Sequence, residues 1–231
     1  MTNKRKNPMP VIVVVTLVVI GLITALVVLN SQSKSAVESD NNTTSESPSI
    51  KNHPTIGEDD APVQIIEFGD YKCPSCKAWN ERVYPQLKRE FIDTGKVNLT
   101  YINTLFHGEE SELAAKAGEA VYKRNPEAFW EFHKNLFEAQ PSQNHDQKWV
   151  TEGKVLEIAK ESVPSIDLAQ MKKDLHSGAI AQEVQNDMNL VNEYGIQQTP
   201  TIMIEGQIVE NPFDYEAISN LINQKLENKN G

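Results

Sequence analysis

The run Val63-Gln64-Ile65-Ile66-Glu67-Phe68 is apolar apart from two positions, and it is followed by a turn and a long amphipathic stretch from about 74 to 91. That order predicts a strand feeding a helix, stopped at Thr94-Gly95. From Val97 to Asn103 apolar and polar residues alternate, the pattern of a second strand with one apolar face. The next ninety or so residues carry helical periodicity instead, with segments near 110–124, 126–139, 149–160, 166–176 and 179–194. Thr201 to Glu205, a Gly206-Gln207 turn and Ile208 to Glu210 then read as a hairpin, closed by a helix from about Asp214 to Leu226. The outline is α/β: a β-α-β half and a β-β-α half separated by a helical block.

A different pattern precedes the domain. Val11 to Leu29 is apolar and uncharged, and as a helix it would be about 28 Å long, sufficient for a bilayer core of ~30 Å. Lys4, Arg5 and Lys6 lie before it with no basic cluster just after, so residues 1–10 are expected in the cytoplasm and everything beyond residue 30 outside. A cleaved signal peptide is the competing reading, although the apolar core is long for one and no clean small-x-small site follows. Both place the domain outside the cytosol. Residues 30–50 are rich in Ser, Thr, Asn and Glu and read as a tether, leaving 51–231 as one domain with a helical insertion at about 108–194.

Charge narrows the partners. The chain has a net charge of −10, and the first 50 residues hold four basic and three acidic side chains, which leaves 18 basic against 29 acidic beyond them. A net of about −11 disfavours nucleic acid and anionic lipid as partners. Calcium could settle on so acidic a surface, but no EF-hand-type loop predicts a site.

The candidate chemistry lies in the two cysteines, which sit together as Cys73-Pro74-Ser75-Cys76 after the first strand. In a helix that starts at Cys73, Cys76 lies one turn along the same face, within reach of a disulfide. The helix N-terminus favours a thiolate at Cys73. Pro74 suits the first helical position, where its missing N–H has no partner to lose. A zinc site would need two further ligands, and neither a second Cys pair nor a His pair at ligand spacing is present. A fixed disulfide across so short a loop would restrain little chain entropy. Copper would need a histidine, and none of the five is near in sequence. Thiol-disulfide exchange is the leading reading, with these three as alternatives.

The segment Glu67-Phe68-Gly69-Asp70-Tyr71-Lys72-Cys73-Pro74-Ser75-Cys76 resembles the active-site segment of the DsbA-like thiol-disulfide oxidoreductases, a thioredoxin fold interrupted by a helical insertion. Tyr84-Pro85-Gln86-Leu87, Phe129-Trp130-Glu131-Phe132-His133 and Gly195-Ile196-Gln197-Gln198-Thr199-Pro200-Thr201 extend the resemblance in the right order over about 55–228. With the anchor and tether, the chain is most similar to the membrane-anchored Gram-positive, Bdb-type members. The resemblance implies a cis Thr199-Pro200 bond beside the thiols, with the Thr199 backbone offered to an extended substrate. It implies a buried carboxylate at Glu67 that exchanges a proton with Cys76; a solvent-facing Glu67 is the alternative. It implies no cofactor beyond the Cys73–Cys76 disulfide, a quinone-linked membrane protein as reoxidising partner, and unfolded exported proteins with free thiols as substrates. After the tether there is no room for a dimerisation domain, so a monomer is expected.

Two positions depart from the pattern. Relatives often pair the buried carboxylate with a lysine on the next strand, yet Val97 to Thr104 contains no lysine or arginine. Strong oxidants of the family carry a histidine where this chain has Ser75. Moving a thiol from pKa ~8.5 to ~3.5 takes about 7 kcal/mol, whereas a helix terminus supplies ~0.3 to 2. Backbone N–H groups and the Ser75 hydroxyl are therefore expected to contribute. Tyr71 and Lys72 are expected to border an exposed Cys73 sulfur, with Lys72 adding to thiolate stability. Trp79 and Tyr84 should pack under the active-site helix, and Phe129, Trp130, Phe132 and Phe137 should form the core of the insertion. His107 is expected in a solvated loop, and Glu109, Glu110 and Glu112 at a helix N-terminus. A reductase or isomerase, or a tethered binding module with a fixed disulfide, are the functional alternatives.

Overall fold

The computed structural model describes residues 46–144 and 146–230. The apolar segment 11–29 and most of the expected tether lie outside the described residues, and none of the described helices is long and apolar enough to cross a membrane. The end of the expected tether already lies on the domain: Pro48 is buried, Ile50 packs beside Val191, and the Tyr194 hydroxyl donates to the Glu46 carbonyl at 2.9 Å.

A five-stranded sheet forms the centre. Its strands are β1 (Thr55–Ile56), β2 (Val63–Gly69), β3 (Val97–Asn103), β4 (Thr201–Ile204) and β5 (Gln207–Ile208), in the order β1-β3-β2-β4-β5. β2 and β3 are parallel, and the other pairings are antiparallel. The crossover between β2 and β3 carries α1 (Pro74–Arg82), α2 (Tyr84–Leu87) and a π-helical turn, Lys88–Ile92. The single helix expected over 74–91 is thus broken. Pro85 has no N–H to give an i−4 carbonyl, and its ring crowds the preceding turn, so the helix re-forms with a different phase.

Between β3 and β4 come α3 (Glu109–Arg124), a 3₁₀ turn (Pro126–Ala128), α4 (Phe129–Glu138), α5 (Glu152–Ser162), α6 (Leu168–Leu175) and α7 (Gly178–Glu193); α8 (Tyr215–Asn230) closes the chain. The segment expected as one helix over 126–139 starts at Pro126 as foreseen, but its first turn is 3₁₀ and the α-helix begins at Phe129. Strand β1 was not visible in the pattern. Two residues are too few to show a period, and β1 exists by pairing with Thr100 and Leu99 of β3.

Alternation along β2 sorts its side chains between two cores. Val63 and Ile65 meet Trp79, Leu87 and Phe91, together with Ile218 and Ile222 of α8. Ile66 and Phe68 face the other way, onto Val191 and Ile196. Glu67 shares the phase of Val63 and Ile65, which turns its carboxylate under α1. A third core fills the insertion and includes Phe129, Phe132 and Phe137 as well as Tyr71, Cys73 and Cys76, with Trp130 packed against it. The thiols therefore lie where the insertion meets the sheet.

β3 departs from its pattern, because every one of its residues is buried. Its polar positions face protein: Thr100 bonds Thr55 at 2.8 Å, Asn98 donates to the Glu58 carbonyl at 3.3 Å, and Asn103 donates to Asp187 at 2.7 Å and Glu119 at 2.9 Å, while the Tyr101 hydroxyl and the amide oxygens of Asn98 and Asn103 have no protein partner. Burial of polar groups with partners costs little, whereas burial without them costs ~1–3 kcal/mol.

Gly69 ends β2 against the Tyr101 ring. A Cβ built there would lie 2.5 Å from Tyr101 Cε2. Gly69→Ala is expected to destabilise the fold by about 1–3 kcal/mol through overpacking, lowering the thermal midpoint by several degrees; an unchanged melt would show that the ring yields freely.

Candidate active site at the start of helix α1

Cys73 is the N-cap of α1, with φ −75° and ψ 120°, and Pro74 occupies the first helical position. The Cys73 N–H closes a turn on the Asp70 carbonyl at 3.0 Å. Both cysteines are free thiols in this structure. Cys76 is fully buried, and its sulfur accepts the Asp70 N–H at 3.4 Å. Cys73, expected to be exposed, is only 7% exposed, because the chain before β4 packs over it. There the Thr199-Pro200 bond is cis, as the resemblance implied, and the Cys73 thiol donates to the Thr199 carbonyl at 3.4 Å.

The two sulfurs have opposite acidities. The Cys73 thiol is lowered from 9.0 to about 5: a hydrogen bond from Cys76 is the largest cause, burial opposes it, and the Thr199 side chain and the backbone N–H groups of Cys76 and Ser75 assist. Burial pushes the Cys76 thiol well up, and the Cys73 charge adds to that. The displacement of Cys73 corresponds to roughly 5 kcal/mol of preference for the anion, beyond the ~0.3 to 2 of a helix end. Donors to the sulfur supply the larger share. Ser75 participates through its N–H, while its side chain faces solvent.

Glu67 is fully buried, so the solvent-facing alternative is excluded. One oxygen, Oε1, accepts the Asn80 Nδ2 proton at 3.1 Å, and Oε2 has no protein partner. Burial raises its pKa to about 8; Asn80 opposes this, and the Cys73 charge adds to it. In register, Glu67 stands between Tyr101 of β3 and Ile202 of β4, and neither is a cation. The carboxyl is therefore mostly protonated at neutral pH, which answers the absent lysine.

Lys72 does not border the sulfur. Its side chain is buried, with Nζ 2.8 Å from Glu110 Oε1 and 2.6 Å from the Gln147 carbonyl, and Glu110 also accepts the N–H groups of Trp149 and Val150 at 2.8 Å. The Lys72 charge is committed to Glu110 and the Gln147 carbonyl. Tyr71 likewise turns into the insertion core and bonds His133 Nδ1 at 3.0 Å. His107 is tied to Asp70 Oδ2 at 2.6 Å, and that oxygen also accepts from Ser111 at 2.9 Å and the Phe106 N–H at 3.0 Å. Asp70 thus braces the turn that carries the cysteines.

Asp70, Asn80 and His133 were not singled out by sequence. Asn80 had a readable signal, since it follows Cys76 by four residues and so shares its buried helix face. His133 lies within the apolar stripe Phe129, Phe132, Leu136, Phe137, where a histidine passes for core.

A thioredoxin fold with inserted helices and a Cys-X-X-Cys pair of unequal acidity at a helix start defines a thiol-disulfide oxidoreductase. Comparisons with known proteins give the branch. A family model described as thioredoxin matches residues 49–224. The chain is 43% identical over 192 residues to disulfide bond formation protein D of Bacillus subtilis, covering 83% of this chain and 85% of that one. It is 41% identical over 172 residues to a probable disulfide bond formation protein D of Bacillus anthracis, covering 74% and 77%. The crystal structure of oxidised BdbD from Bacillus subtilis superposes with a TM-score of 0.76 at 43% identity, covering 79% of this chain and 97% of that one. DsbA of Chlamydia trachomatis shares the fold, with a TM-score of 0.67 at 24% identity, covering 77% and 93%. The chain belongs to the BdbD-like group of DsbA-like thioredoxin-family oxidoreductases.

Two outcomes follow from the sulfur chemistry. Thiolate absorbance of the reduced protein should titrate with a midpoint near 5, and Thr199→Val should raise that midpoint by about 0.5 to 1 pH unit by removing one contact that favours the anion. A folded-state pKa below the unfolded value adds stability that is complete above the unfolded value and lost as pH falls through the folded one. The disulfide form lacks this contribution, and Glu67 acts on both forms. The stability of reduced over oxidised protein should therefore shrink by roughly 1.4 kcal/mol per pH unit from pH 8 down toward 5, as read by denaturant melts of the two forms; parallel pH curves would contradict the assignment.

Proposed function

We propose that the chain is a disulfide donor for exported proteins, working outside the cytosol at the end of a membrane anchor formed by residues 11–29. The observation that carries this reading is the preference of Cys73 for the anion, since a stable thiolate is a good leaving group and disfavours its own disulfide. An unfolded substrate pairs with the backbone of the half-buried Thr199, and its thiolate attacks Cys73 Sγ. The Cys73–Cys76 bond breaks, a mixed disulfide forms, and Cys76 leaves with the electron pair. Its high proton affinity draws a proton from the Glu67 carboxyl. The second substrate thiolate then attacks the substrate sulfur of the mixed disulfide, Cys73 leaves as thiolate, and the substrate departs oxidised.

The dithiol must return to the disulfide by passing two electrons to an acceptor, and a quinone-linked membrane protein is the partner the family suggests. The enzyme acts as a monomer and uses no cofactor besides its own disulfide. The acidic composition, with a net of about −11 beyond residue 50, supports solubility and disfavours a nucleic-acid partner.

Equilibrating the full-length protein in mild detergent with glutathione buffers decides between donor and reductant. A potential near about −120 mV is expected of a donor. A value near about −270 mV would assign the chain to reduction or isomerisation instead.

A further inference from the structure

A chain of four side chains crosses the junction between the insertion and the sheet. Asn80 Nδ2 donates to Glu67 Oε1 at 3.1 Å and to the Cys76 carbonyl at 3.2 Å. A carbonyl can only accept, so the amide cannot be turned over without setting two acceptors together, and Oδ1 must face the other way. His133 Nε2 lies 3.1 Å from that Oδ1 and is therefore the protonated nitrogen. Its Nδ1 is then bare and accepts the Tyr71 hydroxyl at 3.0 Å. Every donor in the sequence Tyr71, His133, Asn80, Glu67 thus points one way. Its far end is Glu67 Oε1, so a proton on that carboxyl must sit on Oε2, the oxygen without a protein partner.

We propose that Asn80 and His133 are positioning residues for thiol-disulfide exchange: His133, from the inserted domain, fixes the Asn80 amide, and the amide fixes which Glu67 oxygen exchanges the proton with Cys76. This rests on the role of Glu67 proposed above. His133 suits the task because burial keeps it neutral, with its pKa lowered to about 3, so it holds one tautomer across the working pH range. Its ring is clamped by Tyr71, Tyr101 and Phe137, at centroid distances of 5.4, 4.6 and 5.0 Å. Phe129 and Trp130 also pack on it, at 5.6 and 5.1 Å, and a cavity of about 430 Å³ whose lining includes Asn80, Tyr84, Trp130 and His133 adjoins it. Water or a shorter side chain fits there.

The groups around Glu67 are few. Cys73 and Cys76 act on it from α1, Tyr101 from β3, Tyr71 from the loop before Cys73 and Tyr84 from α2, while β4 presents Ile202. The tyrosines all have raised pKa values and stay neutral below pH 9. Glu67 is then the group whose titration governs Cys76 between pH 6 and 9.

The test is the resolution of a Cys73–glutathione mixed disulfide in the full-length protein. In that step the Glu67 carboxylate takes the Cys76 proton, the Cys76 thiolate attacks Cys73 Sγ, the Cys73–glutathione bond breaks, and glutathione leaves as a thiolate that water protonates. The rate should rise with pH through one midpoint, below about 8 because the mixed disulfide lacks the Cys73 charge that helps to raise Glu67. Asn80→Leu removes a hydrogen bond to the carboxylate, so the midpoint should move up by about 0.5 to 1 pH unit and the rate at pH 7 should fall roughly 3- to 10-fold. His133→Phe should do the same to a smaller degree, and His133→Gln, which retains an N–H for Asn80 Oδ1, should restore the wild-type midpoint. The infrared band of the protonated Glu67 carboxyl should move to higher frequency in Asn80→Leu, where its carbonyl loses the donor. Midpoints unchanged in Asn80→Leu, with Glu67→Gln abolishing the titration, would overturn the positioning role and leave Glu67 standing. A titration that survives Glu67→Gln would instead overturn the Glu67 reading. Should His133→Phe fail to give a cooperative melt, the midpoint and infrared band of Asn80→Leu decide alone.

Discussion

The inequality of two adjacent sulfurs is the constraint on which the rest of the structure depends. Cys73 and Cys76 share one helical turn, yet one is surrounded by donors and the other is sealed in an apolar core. An anion is stable on the first and strongly disfavoured on the second. Charge therefore stays on Cys73, and the proton stays on Cys76. Much of the surrounding architecture maintains this difference. Asp70 braces the turn, Thr199 closes over Cys73, and Lys72 ties the same turn to Glu110, while burial of Cys76 outweighs the Asp70 N–H that its sulfur accepts.

The inserted helices contribute to the chemistry besides enlarging the domain. Tyr71, two residues before Cys73, turns into their core, and His133 reaches back from that core to the active-site helix. The thiols lie in the same apolar cluster as Phe129, Phe132 and Phe137. Burial pushes Cys76 and Glu67 toward their neutral forms, and neither shift has a cation among its leading causes. A lysine on β3 would have drawn Glu67 toward the carboxylate. Its absence leaves an acid poised near neutrality.

Ser75 bears on how such a site can be tuned. A charged side chain at that position would assist the thiolate directly, but backbone N–H groups do so irrespective of the side chain. The arrangement depends on Cys73 being the N-cap, where N–H groups lack helical partners. Pro74 reinforces it by starting the helix at that point.

How much of this was legible varied with how local each feature is. The Cys-Pro-Ser-Cys segment, the strand before it and the helical block announced themselves by spacing and periodicity, because those signals depend on neighbours a few residues away. The cis Thr199-Pro200 bond was legible only through family resemblance, since the surrounding residues carry no local signature of it. Lys72 was misjudged because sequence adjacency to Cys73 says nothing about where a long side chain points, and a half-buried carboxylate 38 residues on captured it. Strand β1, the full burial of β3 and the break at Pro85 depend on what packs against them.

By itself, then, the sequence determined the redox pair, its place at a helix start and the α/β order of the elements. Only the tertiary structure decided which sulfur is stripped of water, that Glu67 faces inward, and that Asn80 and His133 stand behind it. Those properties come from long-range burial and from hydrogen bonds between residues up to 126 positions apart, distances over which no pattern in the chain itself can report.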